Sequence, residues 1–375
     1  MLDRAKVIEV LRLNADRLFI DMSESSQVAR QAWQEICNDP TFVYKVRSCL
    51  DAPWPVPDWS DPLNTTVFCQ KDMLPYVAIS VDGSQIYPDR HYGISCFLIN
   101  IGTVVIPYVP DEKVVLTNTP YIFTPDDEWQ SVANSTDFVN AKRQELEFAH
   151  AVQTAIGHQN KNTQHRQLIL FDGSLIFWHL ASKDMTLQTI FLPLYINSLL
   201  ELYEKKIPIA GYVSLPKSKE LVNLVRLFLC NFDTSQESAY ASVNNILDTT
   251  ILSNFLSAGC RTGIFKNQSG ITKQYPAYIH PHFFYLNVGR EIARVEVPYW
   301  MTLDEELISE VASQILGQCQ IGDGYPFTIA EAHEQAVVKG ADRDFFYFML
   351  DKLGTERNYR SAASIKSVRK KRMGF

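Results

Sequence analysis

Two stretches of this chain end in the same way. Tyr76-Val-Ala-Ile-Ser-Val81 runs into Asp82-Gly83-Ser84, and Leu168-Ile-Leu-Phe171 runs into Asp172-Gly173-Ser174. Neither run alternates polar with apolar residues, which is the pattern of a strand covered on both faces. Such a run followed by Asp-Gly predicts a strand ending on a carboxylate and then a turn, because glycine permits the backbone conformations by which a chain leaves a sheet. If the two strands are neighbours, Asp82 and Asp172 converge, and close carboxylates repel unless a proton or a divalent cation lies between them. A single Asp-Gly is ordinary hairpin punctuation. The repetition, with serine third in both copies, is what points to chemistry.

The rest of the chain must frame that pair. With 375 residues, 46% hydrophobic and 21% charged, it is long enough for one large domain or two modest ones with a sizeable core. Its 16 glycines are few beside 17 Tyr, 21 Phe and 6 Trp, which argues against a glycine-rich nucleotide-binding fold. A net charge of -7 does not advertise nucleic acid but does not exclude it, since a metal site needs carboxylates and only a local basic lane has to meet phosphate. The cysteines at 37, 49, 69, 96, 230, 260 and 319 show no CxxC spacing. That fits free thiols in a reducing cytoplasm better than a disulfide framework or a zinc cluster. No run of about 18 uninterrupted apolar residues occurs, so no membrane span is expected, and the N-terminus lacks the apolar core of a signal peptide.

Val7, Val10, Leu11 and Leu18, then Val28, Ala32, Trp33 and Ile36, recur at helical spacing and predict an N-terminal helical arm over residues 1–50. Pro53, Pro55, Pro57 and Pro62 make 51–71 a linker. A main domain over 72–345 follows. It opens with the strand 76–81, its turn, and two runs at 94–101 and 103–109 able to meander beside it. A polar, irregular stretch, 110–134, leads to a helix over 135–157 capped at Ser135 or Thr136. Beyond the Asp172 strand come a helix 188–205, a strand 207–213 and a helix 219–230, then a largely helical insertion over 231–270. Strands 277–286 and 292–297 meet through Asn287-Val-Gly-Arg290. A capped helix from Thr302 and a helix 328–339 bearing His333 complete the domain. A basic tail, 346–375, contains Lys366 to Arg372. Hairpins and crossovers together predict the α/β class, with a mixed sheet flanked by helices.

Phosphodiester hydrolysis at neutral pH needs a deprotonated water, neutralised charge on the attacked phosphate and a stabilised leaving alkoxide. Two divalent ions about 3.5–4 Å apart serve all three, and hard oxygen ligands suit Mn2+ or Mg2+. Asp82 and Asp172 are the candidate shared ligands, and the helix between them in sequence offers Glu145 and Glu147. Spacing leaves both open: Phe138, Ala141, Glu145, Ala149 and Val152 form a stripe that slightly favours Glu145, while Glu147 lies at a helix edge, i,i+4 from Arg143. His333 can ligate Mn2+ or relay a proton. Tyr325 can hydrogen-bond a phosphate oxygen or position the attacking water. Lys217, Lys219, Arg290 and Arg294 are candidate DNA-phosphate contacts. Each has an ordinary structural competitor, a solvated face or a helix lead-in.

Taken in order, several motifs resemble those of the NurA nucleases of archaea and bacteria, over about residues 72–345. They are Asp82-Gly-Ser, a helical Glu, Leu170-Phe-Asp172-Gly-Ser-Leu175, Gly211-Tyr-Val-Ser-Leu-Pro-Lys217, Arg294-Val-Glu296-Val-Pro298 and Gly324-Tyr325-Pro326 with His333. The resemblance implies a ribonuclease-H-like core and Mn2+-dependent cleavage of DNA ends and single strands, as a 5'-3' exonuclease and single-strand endonuclease in double-strand break repair. It also implies a homodimer partnered by a hexameric HerA-type ATPase. Motif by motif it assigns catalysis to Asp82, Glu147, Asp172, Tyr325 and His333, with Asp82, Glu147, Asp172 and His333 on the metal. Arg143-x-x-Leu146-Glu147 is its nearest match for the helical carboxylate. The helical arm and the insertion fall outside what it covers. Two other classes compete. An actin-like ATPase needs a glycine-rich adenosine loop that this sequence lacks, and a non-catalytic adaptor of a DNA-translocating ATPase has no need of the full residue set.

Overall fold

The computed structural model describes residues 2–18, 21–49, 52–69, 75–88, 96–110, 112–124, 135–161, 165–181 and 185–357. The basic run near the C-terminus lies outside them. The chain divides into two compact units, one of Met1–Thr66, Pro216–Ser257 and Thr262–Ser269, the other of Val67–Leu215, Ala258–Arg261 and Gly270–Phe375.

The larger unit is organised by a long strand, β1 (Tyr76–Ile86), buried without a break from Tyr76 to Val81. β2 (Phe97–Pro107) pairs antiparallel with β1, and β3 (Val115–Phe123) antiparallel with β2. On the other side β4 (Arg166–Asp172) runs parallel to β1, and β5 (Ile209–Val213) parallel to β4. β6 (Pro281–Asn287) and β7 (Ile292–Pro298) form the expected hairpin, with β7 antiparallel to β5. Parallel neighbours need crossovers, which α1 (Thr136–Lys161) and α2 (Met185–Lys205) supply. The first five strands thus lie in the order β3-β2-β1-β4-β5, the mixed sheet of a ribonuclease-H-like core.

Both faces are covered, which is why the central runs are apolar throughout. Val77, Ile79, Val81, Ile99 and Ile101 pack with Phe148, Ala151, Val152 and Tyr195 of α1 and α2. Val104 and Ile106 on the opposite face pack with Ala332 of α4 (Phe327–Ala336). Before α4 runs α3 (Glu305–Ile321), capped not by Thr302 but by Asp304, whose Oδ1 accepts from Glu306 N at 3.0 Å and Leu307 N at 3.1 Å. α5 (Gly340–Glu356) seats Phe346 and Tyr347 against Ile86 and Cys96. Ser135 caps α1 as expected, its Oγ accepting from Phe138 N at 3.1 Å.

Several expectations are corrected. The two runs at 94–101 and 103–109, expected to meander, are the single strand β2. The polar stretch 110–134 contains β3, whose residues are mostly exposed; an edge strand has little apolar signal to show and tolerates Pro120 in its ladder. β1 does not stop at Asp82, because β2 continues to pair with it as far as Ile86. The expected strand over 277–286 opens as a 3-10 turn, Ala277–Ile279, and becomes strand at Pro281.

In the smaller unit, helix Ser23–Asn38 buries Ala29, Ala32, Trp33 and Ile36, with Trp33 stacked on Phe255. Phe42 packs among Trp59, Phe228 and Phe232. The proline-rich segment is pinned there: Asn223 Nδ2 donates to Pro55 O at 2.8 Å. Helices in 231–270 are short, Glu237–Tyr240 and Asp248–Leu252, so that stretch is less helical than expected. All seven cysteines are free. Among the described residues no helix is long and apolar enough to cross a membrane.

Candidate active site

The parallel register of β1 and β4 sets Ser80 beside Leu170. Side chains two residues apart share a sheet face, so Asp82 and Asp172 continue those two rows on the face covered by α4. Burial pushes the Asp172 pKa up; the Tyr325 hydrogen bond opposes this, and the nearby Asp82 charge adds to the rise.

The glycines after these two aspartates do different work. Gly173 has φ +103° with open space around it, and it turns the chain out of the sheet as expected. Gly83 stays in the strand opposite Ile101. A Cβ there would meet Glu147 Oε1 at 2.7 Å, Arg143 Cγ at 2.8 Å and Ile101 Cδ1 at 3.1 Å. The turn reading therefore fails for the first copy: Gly83 is small so that α1 can approach.

That approach selects between the helical carboxylates. Glu147 is 4% exposed and lies against Gly83. Arg143 Nη1 stands 2.5 Å from Glu147 Oε1, 3.1 Å from Gly83 O and 3.9 Å from Asp82 Oδ1. Glu145 pairs instead with Lys142 at 2.5 Å. The helical stripe misleads because the buried face of α1 runs through Phe148, Ala151, Val152 and Ala155, and Glu147 borders it. Burial pushes the Glu147 pKa up to about 8, with Asp82 and Asp172 adding to the rise and Arg143 opposing it.

Between α3 and α4 the backbone passes through left-handed Asp323 (φ 56°) and Gly324 (φ 107°) and presents Tyr325. Its hydroxyl donates to Asp172 Oδ1 at 2.7 Å, and its ring meets that of Tyr212 edge-on at 5.5 Å. Burial and the Asp172 charge raise the phenol pKa, so Tyr325 is a neutral donor. α4 is drawn onto the sheet at Gly102, where a Cβ would lie 2.5 Å from Ala336 N and 2.6 Å from Ala332 O. Ser84 Oγ and Asn100 Nδ2 both donate to Ala336 O, at 2.5 and 2.9 Å. Buried Gln318 accepts from Thr328 N at 3.0 Å and donates to Tyr76 Oη at 2.8 Å, tying the start of α4 to the start of β1. His333 is thereby held over Asp82, its Nδ1 2.9 Å from Asp82 Oδ2. Each aspartate has its own partner.

Glu296, 1% exposed, anchors the loop beyond Asp172. It accepts from Ser174 Oγ at 2.6 Å, Leu175 N at 2.9 Å and Arg294 Nε at 2.8 Å. Arg294 is 2% exposed, with its guanidinium 3.6 Å from the centre of the Phe283 ring. Its assignment as a DNA contact is therefore corrected: a buried, paired guanidinium offers nothing to phosphate, and the Arg294-Val-Glu296 motif is a brace. Gly211 lets the same loop fold back, since a Cβ there would lie 2.6 Å from Gly173 O. Arg290 is exposed and ion-paired with Asp323. In the smaller unit Lys217 is exposed, whereas Lys219 Nζ donates to Asn244 O at 2.7 Å.

Ser84, Asn100, Gly102, Gln318 and Glu296 had not been singled out for these tasks. Ser84 and Glu296 had appeared only as members of motifs, and Gly102 only as the gap between two expected runs; within the one strand β2 it marks close backbone approach.

Three carboxylates beside one guanidinium form a hard-oxygen donor set of the kind that takes Mn2+ or Mg2+. Among the described residues, no three His, Cys, Asp or Glu side chains are placed to hold an ion together. The match is one of donor chemistry, and the positive charge at the cluster is that of Arg143.

A family model, the NurA domain, matches residues 76–338, well over half of the chain. None of the curated proteins compared matches. Among solved structures, the chain is similar to NurA bound to dAMP and manganese, at 10% identity over 86% of this chain and 95% of that one, TM-score 0.33. It is also similar to NurA with manganese (10% identity, 93% and 97% covered, TM-score 0.34) and to the catalytic domain of human endonuclease V (12%, 82% and 96%, 0.33).

Proposed function

The chain belongs to the NurA family of nucleases, and on that premise we propose that it hydrolyses DNA phosphodiester bonds with a divalent metal ion. The observation that carries this reading is the pairing of the two aspartates on adjacent parallel strands, Asp82 with His333 and Asp172 with Tyr325, in front of buried Glu147. Asp82, Glu147 and Asp172 are the residues that would hold the metal, with His333 beside them. Bound there, the metal would supply Lewis-acid charge to the phosphate and acidify a water. Tyr325 anchors one edge of Asp172 and offers a neutral phenol to a phosphate oxygen or a water. An Nδ1–H donated from His333 to Asp82 leaves Nε2 as the nitrogen that accepts or passes a proton. Glu296 and Gly211 keep the Asp172 loop in one conformation.

The finer parts of the reading follow the family: preference for Mn2+, 5'-3' exonuclease and single-strand endonuclease action, end processing in double-strand break repair, a homodimer and a HerA-type hexameric partner. Lys217 and Arg290 are the remaining exposed candidates for phosphate contact. The test is cleavage of end-labelled single- and double-stranded DNA with Mn2+ or Mg2+, with and without a candidate translocase. Asp82→Asn and Asp172→Asn should each abolish cleavage while far-ultraviolet circular dichroism stays that of the wild type; undiminished cleavage dismisses the reading. One observation favours a second reading, a nuclease-like adaptor without catalysis: among the described residues, no three ligand side chains are placed to hold an ion together. Titration calorimetry with Mn2+ separates the two, since an adaptor of that kind binds none.

A further inference from the structure

Arg143 belongs to none of the roles above, yet it is the side chain that holds the candidate ligands together. It reaches along α1 to Glu147, one turn away, and its Nη1 also donates to Gly83 O and faces Asp82. The Glu147 side chain is 6% exposed, and a carboxylate so far removed from water needs a cation or a proton beside it. Gly83 completes the seat, since a Cβ would strike both Arg143 and Glu147.

We propose that Arg143 is a resident counter-charge. It assembles Glu147 and Asp82 when no metal is bound, and it competes with the divalent ion for them, so that it sets the affinity of the site for cations. The inference rests on the metal-dependent reading above. Two positive charges that use the same carboxylates exclude each other in part. Removing the fixed one weakens the metal-free protein and strengthens metal binding. A merely structural arginine would weaken both.

The experiment titrates Mn2+ alone into the full chain by calorimetry and measures urea unfolding without metal, for wild type, Arg143→Gln and Arg143→Lys. Arg143→Gln should unfold at lower urea without metal and bind Mn2+ about tenfold or more tightly, as expected for loss of one charge 2.5 Å from Glu147 Oε1 and 3.9 Å from Asp82 Oδ1. Arg143→Lys, which keeps the charge, should bind within about twofold of wild type. A folded Arg143→Gln that binds Mn2+ equally or more weakly overturns the inference and leaves the metal reading standing. If neither wild type nor variants bind Mn2+, both fall. If Arg143→Gln is unfolded without metal, refolding on Mn2+ addition supports the inference, and failure to refold at saturating Mn2+ overturns it.

Discussion

Gly83→Ala sets two opposed effects against each other, and its outcome tests the reason given for the glycine. Gly83 is not among the residues with positive φ, so alanine fits the backbone. Replacing a strand glycine by alanine alone should stabilise by about 0.5–1 kcal/mol. Against this, the new methyl would lie 2.7 Å from Glu147 Oε1, 2.8 Å from Arg143 Cγ and 3.1 Å from Ile101 Cδ1. None of the three can yield freely, because Glu147 is buried and held by Arg143 while Ile101 is fully buried. Overpacking of this kind costs about 1–3 kcal/mol, and the net expectation is a loss of up to about 2.5 kcal/mol. The methyl also pushes Glu147 out of its seat, and misplacement by about 1 Å can cost a hundredfold in rate. Urea midpoints and metal-dependent cleavage should therefore fall together. Gly173→Ala provides the contrast: no atom lies within 4 Å, but its φ of +103° makes the cost one of backbone strain, about 1–2 kcal/mol. A Gly83→Ala protein at least as stable as wild type, cleaving at the wild-type rate, would refute the claim that α1 needs the space.

Arg294→Met should cost about 3–5 kcal/mol in urea unfolding, because it strands the Glu296 carboxylate in the core. The salt dependence of DNA binding should not change, since Arg294 meets no phosphate; a shallower salt slope would restore it as a DNA contact. Tyr325→Phe removes one hydrogen bond to a carboxylate, worth about 1.5–3 kcal/mol. Cleavage should drop about tenfold or more and the unfolding midpoint should fall with the lost bond; a wild-type rate would exclude the hydroxyl from the reaction. The Glu147 pKa lies at about 8 in the fold against 4.5 for the free side chain, so between those values the folded protein holds a proton that the unfolded chain has released. Its contribution is complete below about pH 4.5 and is lost as pH rises through 8. Metal-free wild type should lose more stability than Glu147→Gln from pH 5 to 8, and an equal or smaller loss refutes the burial account.

The two strand-Asp-Gly-Ser copies were legible because a strand buried on both faces leaves an apolar run that no neighbour can disguise. Residue type and order singled out their carboxylates, Tyr325 and His333, and the structure pairs Asp172 with Tyr325 and Asp82 with His333. β3 was not legible, since an edge strand owes its state to the pairing of β2 and not to its own exposed residues. The choice between Glu145 and Glu147 was beyond periodicity: the two point to different sides of the helix, and only the approach of α1 to Gly83 shows that Glu147 is the buried one. Arg294 looked like a phosphate contact until the fold enclosed it with Glu296.

The order of residues by itself determined that a sheet covered on both faces would carry two aspartates on its buried strands. Tertiary structure alone decided which glycine turns and which makes room, and which arginine pairs with Glu296 and which with Glu147. Those distinctions depend on contacts between segments far apart in the chain, where excluded volume and the loss of water act on atoms that have no local neighbour in common.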